Sequence, residues 1–327
     1  RGSGPVWQLT ENPVDLDPIS FDSQSGQATT VIDWLSQNFA DGIVVLHGGE
    51  IRYERYFNDM TARTLHLSQS MAKSVTSAVA GILVSRGQLD PEEQITTYLP
   101  ELTQTGWKGA KLRHALDMTS GVRYVEDYEA LDSDIAATDV ASGWRSAKPD
   151  VPYFQCIWDQ ILSLNETVRE HGEVFEYRSI ETEVLAHCME RVTQTPLAEL
   201  ISCELWQPLG VEESASFTVD GAGYPLADGG FNATLRDYAR FGEMLCNDGT
   251  ANGQQIVPKA WIADSLNADP SIFSDTNNMD LDNGAYRNQF WIRDVDRRIL
   301  MARGVFGQII YADLDNRVTI ARLASWP

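Results

Sequence analysis

The chain has 327 residues, 43% of them hydrophobic and nine of them Trp, with a formal net charge of −22. That length serves one large domain or two lobes sharing a cleft, and the composition is that of a folded protein with a sizeable core, not a disordered one. The acidic balance argues against a nucleic-acid or anionic-membrane partner, because both need basic surface. No apolar run approaches the roughly 20 residues needed to cross a bilayer. The chain opens on Arg1 with no visible leader, so the expected compartment is the cytoplasm, or the periplasm or exterior if a leader has been removed. Oligomeric state stays open.

In chain order, the first forty residues read as loop around one helix at 31–39. Residues 42–47 and 51–57 read as two strands joined by Gly48-Gly49-Glu50, an antiparallel hairpin. Helical periodicity follows over 68–87, with Val75, Val79, Ile82 and Leu83 on one face and Gly87 at the C-terminal end. Short helices and long loops are expected over 106–173, then helices at 180–192, 197–206 and 234–246, the last capped by Thr234. Stretches 289–292, 298–302, 308–313 and 318–323 alternate like strands, with a turn at Asp315-Asn316. Strands at both ends and helices between them predict an α+β fold, an antiparallel sheet built from both termini with a mostly helical insertion. The expected division is 1–65 plus 229–327 for the sheet lobe and 66–228 for the helical lobe, with the active-site cleft between them. The four Cys form no C-x-x-C pair; Cys188 and Cys203 fall in apolar-periodic stretches and are expected to be buried.

The chemistry centres on Ser70-Met-Ala-Lys73. Residues at i and i+3 share a helix face, so the hydroxyl and the amine can meet. A serine is a poor nucleophile until a neighbour takes its proton, and lysine can do so when its pKa is lowered toward neutrality. At a helix start, the dipole also favours a developing oxyanion. Of the five lysines (Lys73, Lys108, Lys111, Lys148 and Lys259), only Lys73 has a serine three residues before it.

The segment from Leu67 to Asp90 resembles the first motif of the class C β-lactamase and penicillin-binding-protein superfamily. Tyr98-Leu-Pro-Glu-Leu102, Leu112 to Gly121 and Gly229 to Phe241 are similar to further segments of that superfamily, in the same order. The resemblance implies a β-lactamase/transpeptidase-like fold and acyl transfer through Ser70 without metal or organic cofactor. It also implies that Tyr177, in Phe175-Glu-Tyr-Arg-Ser179, is the second-motif tyrosine that relays protons beside Ser70 and Lys73. The third motif departs from the family: Arg303-Gly304-Val305 stands where Lys-Thr-Gly or His-x-Gly is usual, which puts β-lactam binding in doubt. What survives is a backbone N–H at Val305 that could join that of Ser70 in an oxyanion hole. The stretch Glu126-Asp127-Tyr128 and the tail from Gly304 are most similar to the 6-aminohexanoate-dimer hydrolase and carboxylesterase branch. That likeness implies Tyr128 at the leaving group. Asp139, in the following loop, is expected to face a cationic substrate end, and Phe306 is a further expected substrate contact.

No G-x-S-x-G elbow, H-E-x-x-H pair or phosphate loop competes with this site. The expected function is hydrolysis of a small ester or linear amide. The alternatives are a D-amino-acid peptidase and a penicillin-binding-like sensor that acylates without turnover.

Overall fold

The computed structural model describes residues 4–23, 25–147, 153–273, 281 and 283–326; Lys148 and part of the 106–173 stretch lie outside them. An eight-stranded sheet takes its strands from both ends of the sequence. They are β1 (Thr10–Glu11), β2 (Ala40–His47), β3 (Glu50–Tyr56), β4 (Ala285–Arg287), β5 (Phe290–Ile292), β6 (Ile299–Gly304), β7 (Gln308–Asp313) and β8 (Val318–Ala324). The spatial order is β1-β3-β2-β8-β7-β6-β5-β4, antiparallel except for the β1–β3 pair. The first and last thirds of the sequence thus meet where β2 pairs with β8. The turn between β2 and β3 uses Gly48 and Gly49, both at positive φ, as the Gly-Gly pair predicted. The strand β4 and the two-residue β1 are too short to announce themselves by alternation.

Helix α1 (Val31–Gln37) covers one face of the sheet, where Leu35 packs with Ile43 and Tyr53. Helix α2 (Met71–Ser85) is buried along almost its whole length, between β6 and β7 on one side and helix α3 (Ile180–Thr193) on the other. Helix α4 (Leu235–Cys246) lies across β2, β7 and β8, with Thr234 capping it by accepting from the Asp237 N–H. A Cβ at Gly242 would stand 2.5 Å from Thr319 Cγ2, so this helix approaches the sheet at glycine distance. Burying such amphipathic faces is what stabilises helices whose own propensity is modest.

One packing expectation fails. Cys188 is buried, but Cys203 is exposed. The helix predicted over 197–206 is α-helical only at Leu197–Ile201 and widens to i→i+5 spacing over Ser202–Trp206. Cys203 lies off the helix face that buries Leu197, Leu200 and Ile201, while Leu205 and Trp206 stay inside.

Candidate active site

Ser70 is the N-cap of α2, and Gln69 before it has φ 49°, in the left-handed region that costs a non-glycine residue energy. That turn aims the serine outward while the next thirteen residues run into the core. Lys73 lies one helical turn on and is 1% exposed. Its Nζ donates to Ser70 Oγ at 3.0 Å and to the Asp228 carbonyl oxygen at 2.8 Å. Tyr177 completes the group: Lys73 Nζ sits 5.2 Å from its ring centre, and Ser70 and Lys73 both favour the ionised form of its phenol. The ring is held by stacking on Trp291, with centroids 5.4 Å apart, and by an edge contact with Tyr286. The local Ser70–Lys73 pair and the sequence-distant Tyr177 thus share one site.

The surroundings of Lys73 act on its amine in opposite directions. Burial works against its ammonium, but Tyr177, Asp228 and Glu126 together outweigh that and hold it above the ordinary lysine range. The Tyr177 phenol is raised too, by burial first and by Glu126, against the pull of Lys73. The resting site therefore keeps both protons. Behind Lys73, Glu183 Oε1 accepts from the Asp228 N–H at 2.9 Å, and burial together with Asp228 pushes the Glu183 carboxyl well above the ordinary carboxylate range.

Glu126 organises the other side. It accepts from the Ser179 N–H at 2.6 Å, from Ser179 Oγ at 2.5 Å and from the Tyr128 hydroxyl at 2.6 Å. One carboxyl group thereby fixes the turn that carries Tyr177 and the loop that carries Tyr128. Its own pKa is raised, by burial against the pull of Lys73.

The end of β6 forms the remaining wall. A Cβ at Gly304 would stand 2.5 Å from the Ser68 carbonyl oxygen, so only glycine lets this strand end come against the turn before Ser70. Val305 follows, and it lines, with Ser70, two cavities that meet at the serine. The larger, about 550 Å³, runs past Glu126, Tyr128, Tyr177 and Trp291 to Arg303, Phe306, Ile309, Arg322 and Trp326. The smaller is a narrow cleft that reaches Asp139, Trp144 and Asp228.

The remaining predicted positions divide between these cavities. Tyr128 lines both. Phe306 stands half-exposed on the β6–β7 turn with φ 63°. Asp139 lines the narrow cleft, paired with Arg145 at 3.4 Å, and burial raises its pKa against that pairing. Arg303 projects over the Trp291 ring at 5.8 Å.

Glu126, Glu183, Asp228, Trp291 and Arg322 also meet at or behind these cavities, and no motif in the sequence marks them. Asp228 directly precedes the Gly229-Gly230 pair, and Glu126 stands in a quoted stretch. An acidic residue at either position reads as surface until burial shows otherwise.

A Beta-lactamase family model matches residues 37–327. The 6-aminohexanoate-dimer hydrolase of Paenarthrobacter ureafaciens is 31% identical over 297 residues, 90% of this chain and 74% of that protein. A solved structure from Bacillus anthracis, provisionally described as a 6-aminohexanoate-dimer hydrolase, superposes with a TM-score of 0.90. It is 30% identical and covers 98% of this chain and 83% of that one. A family VIII carboxylesterase gives a TM-score of 0.64 at 16% identity, covering 89% of this chain and 87% of that one; this is a likeness of fold.

Proposed function

The chain belongs to the beta-lactamase family, and from that premise we propose that it is a serine hydrolase cleaving an ester or linear amide through an acyl-enzyme on Ser70. The observation that carries this is the 3.0 Å hydrogen bond from Lys73 Nζ to Ser70 Oγ, at the meeting point of two cavities. The larger cavity has the size of a small-molecule site. The relatives named for the 6-aminohexanoate dimer support a linear amide, and Arg303-Gly304-Val305 in place of Lys-Thr-Gly disfavours a β-lactam. On this reading the site lies between the sheet unit of 1–65 and 229–327 and the helical unit of 66–228.

The reaction needs one proton fewer than the resting site holds. Loss of one proton from the Lys73–Tyr177 pair creates the base, and the titration belongs to the pair, not to either residue. Ser70 Oγ gives its proton to that pair and attacks the carbonyl carbon. The N–H groups of Ser70 and Val305 hold the resulting oxyanion. Tyr177 returns the proton to the leaving nitrogen or oxygen, assisted by Tyr128, as the bond to carbon breaks. Water then attacks the acyl-enzyme, surrenders a proton to the same pair, and Ser70 is regenerated. Asp139 and Phe306 serve as outer substrate contacts, Asp139 facing a cationic end in the narrow cleft.

The test is a hydrolysis screen of a p-nitrophenyl ester, the 6-aminohexanoate dimer and nitrocefin. The ester and the dimer are turned over and nitrocefin is not, and Ser70→Ala abolishes both activities. Rapid nitrocefin turnover would remove the argument from Arg303-Gly304-Val305.

A further inference from the structure

The backbone at Ala227 and Asp228 is held by two helices. From α2, Thr76 Oγ1 donates to the Ala227 carbonyl oxygen at 3.3 Å and Lys73 Nζ to the Asp228 carbonyl oxygen at 2.8 Å. From α3, Glu183 Oε1 accepts the Asp228 N–H at 2.9 Å. The contacts run in series: Glu183 holds Asp228, Asp228 holds Lys73, and Lys73 reaches Ser70 Oγ at 3.0 Å. Helix α3 begins three residues after Tyr177. The element that carries the phenol into the site therefore also holds the residue that orients the amine.

Glu183 is a costly residue in its place. It is 3% exposed, on the buried part of α3 between the core residues Ile180 and Val184. An apolar side chain could be buried there without loss, whereas a carboxyl costs free energy in the interior unless hydrogen bonds offset it. Burial and Asp228 both push its carboxyl up, against the pull of Lys73. Glu183 is thus held toward its neutral form, and Asp228 Oδ2, 3.9 Å from Nζ, is the acidic group at ion-pair distance from the amine. The other titratable and charged groups facing these residues are Tyr177 and Glu126 beside Lys73, Tyr124, and Asp139 with its partner Arg145 in the narrow cleft.

We propose that Glu183 is a positioning residue for Lys73: by holding the Asp228 N–H, it fixes the residue whose carbonyl and carboxyl groups both face the amine. This inference rests on the acyl-transfer reading, in which Lys73 belongs to the base. Without Glu183 the Asp228 backbone keeps its contacts to α2 but loses its anchor on α3. The amine is then less well aimed at Ser70 Oγ, and misplacement of a catalytic group by a fraction of an ångström is enough to slow a reaction severalfold or more. Asp228 also stabilises the ammonium less once its backbone is free to shift.

The experiment compares Glu183→Met, which fills the space but accepts no hydrogen bond from the N–H, with Glu183→Gln, whose amide oxygen can accept it. Glu183→Met is expected to keep or raise Tm while kcat on a p-nitrophenyl ester falls about tenfold or more with KM within about twofold. The midpoint of its pH–rate profile moves to lower pH. Glu183→Gln is expected to recover most of the lost kcat and to return the midpoint toward that of the unmutated enzyme. Crystal structures give a readout that does not depend on turnover: the Asp228 carbonyl leaves Lys73 Nζ in Glu183→Met and stays on it in Glu183→Gln. Unchanged kcat in a folded Glu183→Met, loss of Tm together with kcat, or failure of Glu183→Gln to restore either kcat or the midpoint each overturns the proposal. A displaced Asp228 in a protein whose unmutated form shows no Ser70-dependent turnover would instead overturn the hydrolase reading and leave the positioning of Lys73 standing.

Discussion

Lys73 Nζ donates to the carbonyl oxygen of Asp228 at 2.8 Å and stands 3.9 Å from the Oδ2 of the same residue. One residue therefore both orients the amine and supplies negative charge that keeps it protonated. These surroundings hold the Lys73 amine above the ordinary lysine range, and on the mechanism proposed above activity depends on removing a proton from the Lys73–Tyr177 pair.

The pH dependence follows from that sign. Because the ammonium and the phenol are both raised, the base form grows with pH, and kcat/KM rises through neutrality into the alkaline range. Asp228→Asn removes a group that raises Lys73, so the rise moves to lower pH, by about one unit. A pH–rate profile identical to the unmutated enzyme, in a variant that keeps its Tm, would show that Asp228 has no electrical effect on the base.

Tyr128 donates to Glu126 and faces both cavities. Tyr128→Phe should slow amide hydrolysis about tenfold while changing p-nitrophenyl ester hydrolysis much less, since that leaving group departs without a proton. Equal losses on amide and ester would place Tyr128 in substrate packing and not at the leaving group.

Gly304 has no room for a side chain against Ser68 and Gln69. Gly304→Ala forces the strand end away from the nucleophile turn, with about 1–3 kcal/mol of destabilisation and a fall in kcat larger than the change in KM. Thermal denaturation and steady-state kinetics check both halves. Wild-type kcat in a folded Gly304→Ala would detach Val305 from the oxyanion hole.

Glu181 adds a pH dependence of stability. It is fully buried, accepts from Ser120 Oγ at 2.6 Å, and burial raises its pKa from 4.5 to about 8 against the pull of Arg178. A carboxyl with a raised folded pKa binds its proton more tightly when folded. Its contribution is present below the unfolded pKa and is lost as pH climbs from about 4.5 to about 8. Urea unfolding at pH 5 and pH 8 should show that loss, and Glu181→Gln should flatten it. An unchanged difference in the variant would assign the slope to other groups.

How much of this was legible in the sequence depends on whether a feature is local. The hairpin at Gly48-Gly49, the Thr234 cap and the Ser70–Lys73 pair are set by neighbours a few residues apart, and alternation or i,i+3 geometry exposes them. Tyr177 was reached through a family resemblance, since nothing between Lys73 and Tyr177 in the chain says that they touch. The groups that raise Lys73 were not legible because they come from elsewhere in the chain, Tyr177 from the turn before α3, Asp228 from the loop before β-paired Phe231 and Glu126 from a loop between helices. Arg322 shows the same limit: one arginine in an alternating strand looks solvated until Trp34, Trp326 and the cavity are placed around it.

The most direct test is to find where the acyl group goes. The protein is mixed with a p-nitrophenyl ester, quenched in acid within the burst, digested and weighed peptide by peptide. An acyl adduct is expected on the peptide carrying Ser70, absent from Ser70→Ala, with p-nitrophenol release continuing beyond one equivalent in the unmutated enzyme. An adduct on another residue, or turnover by Ser70→Ala at the unmutated rate, would contradict it.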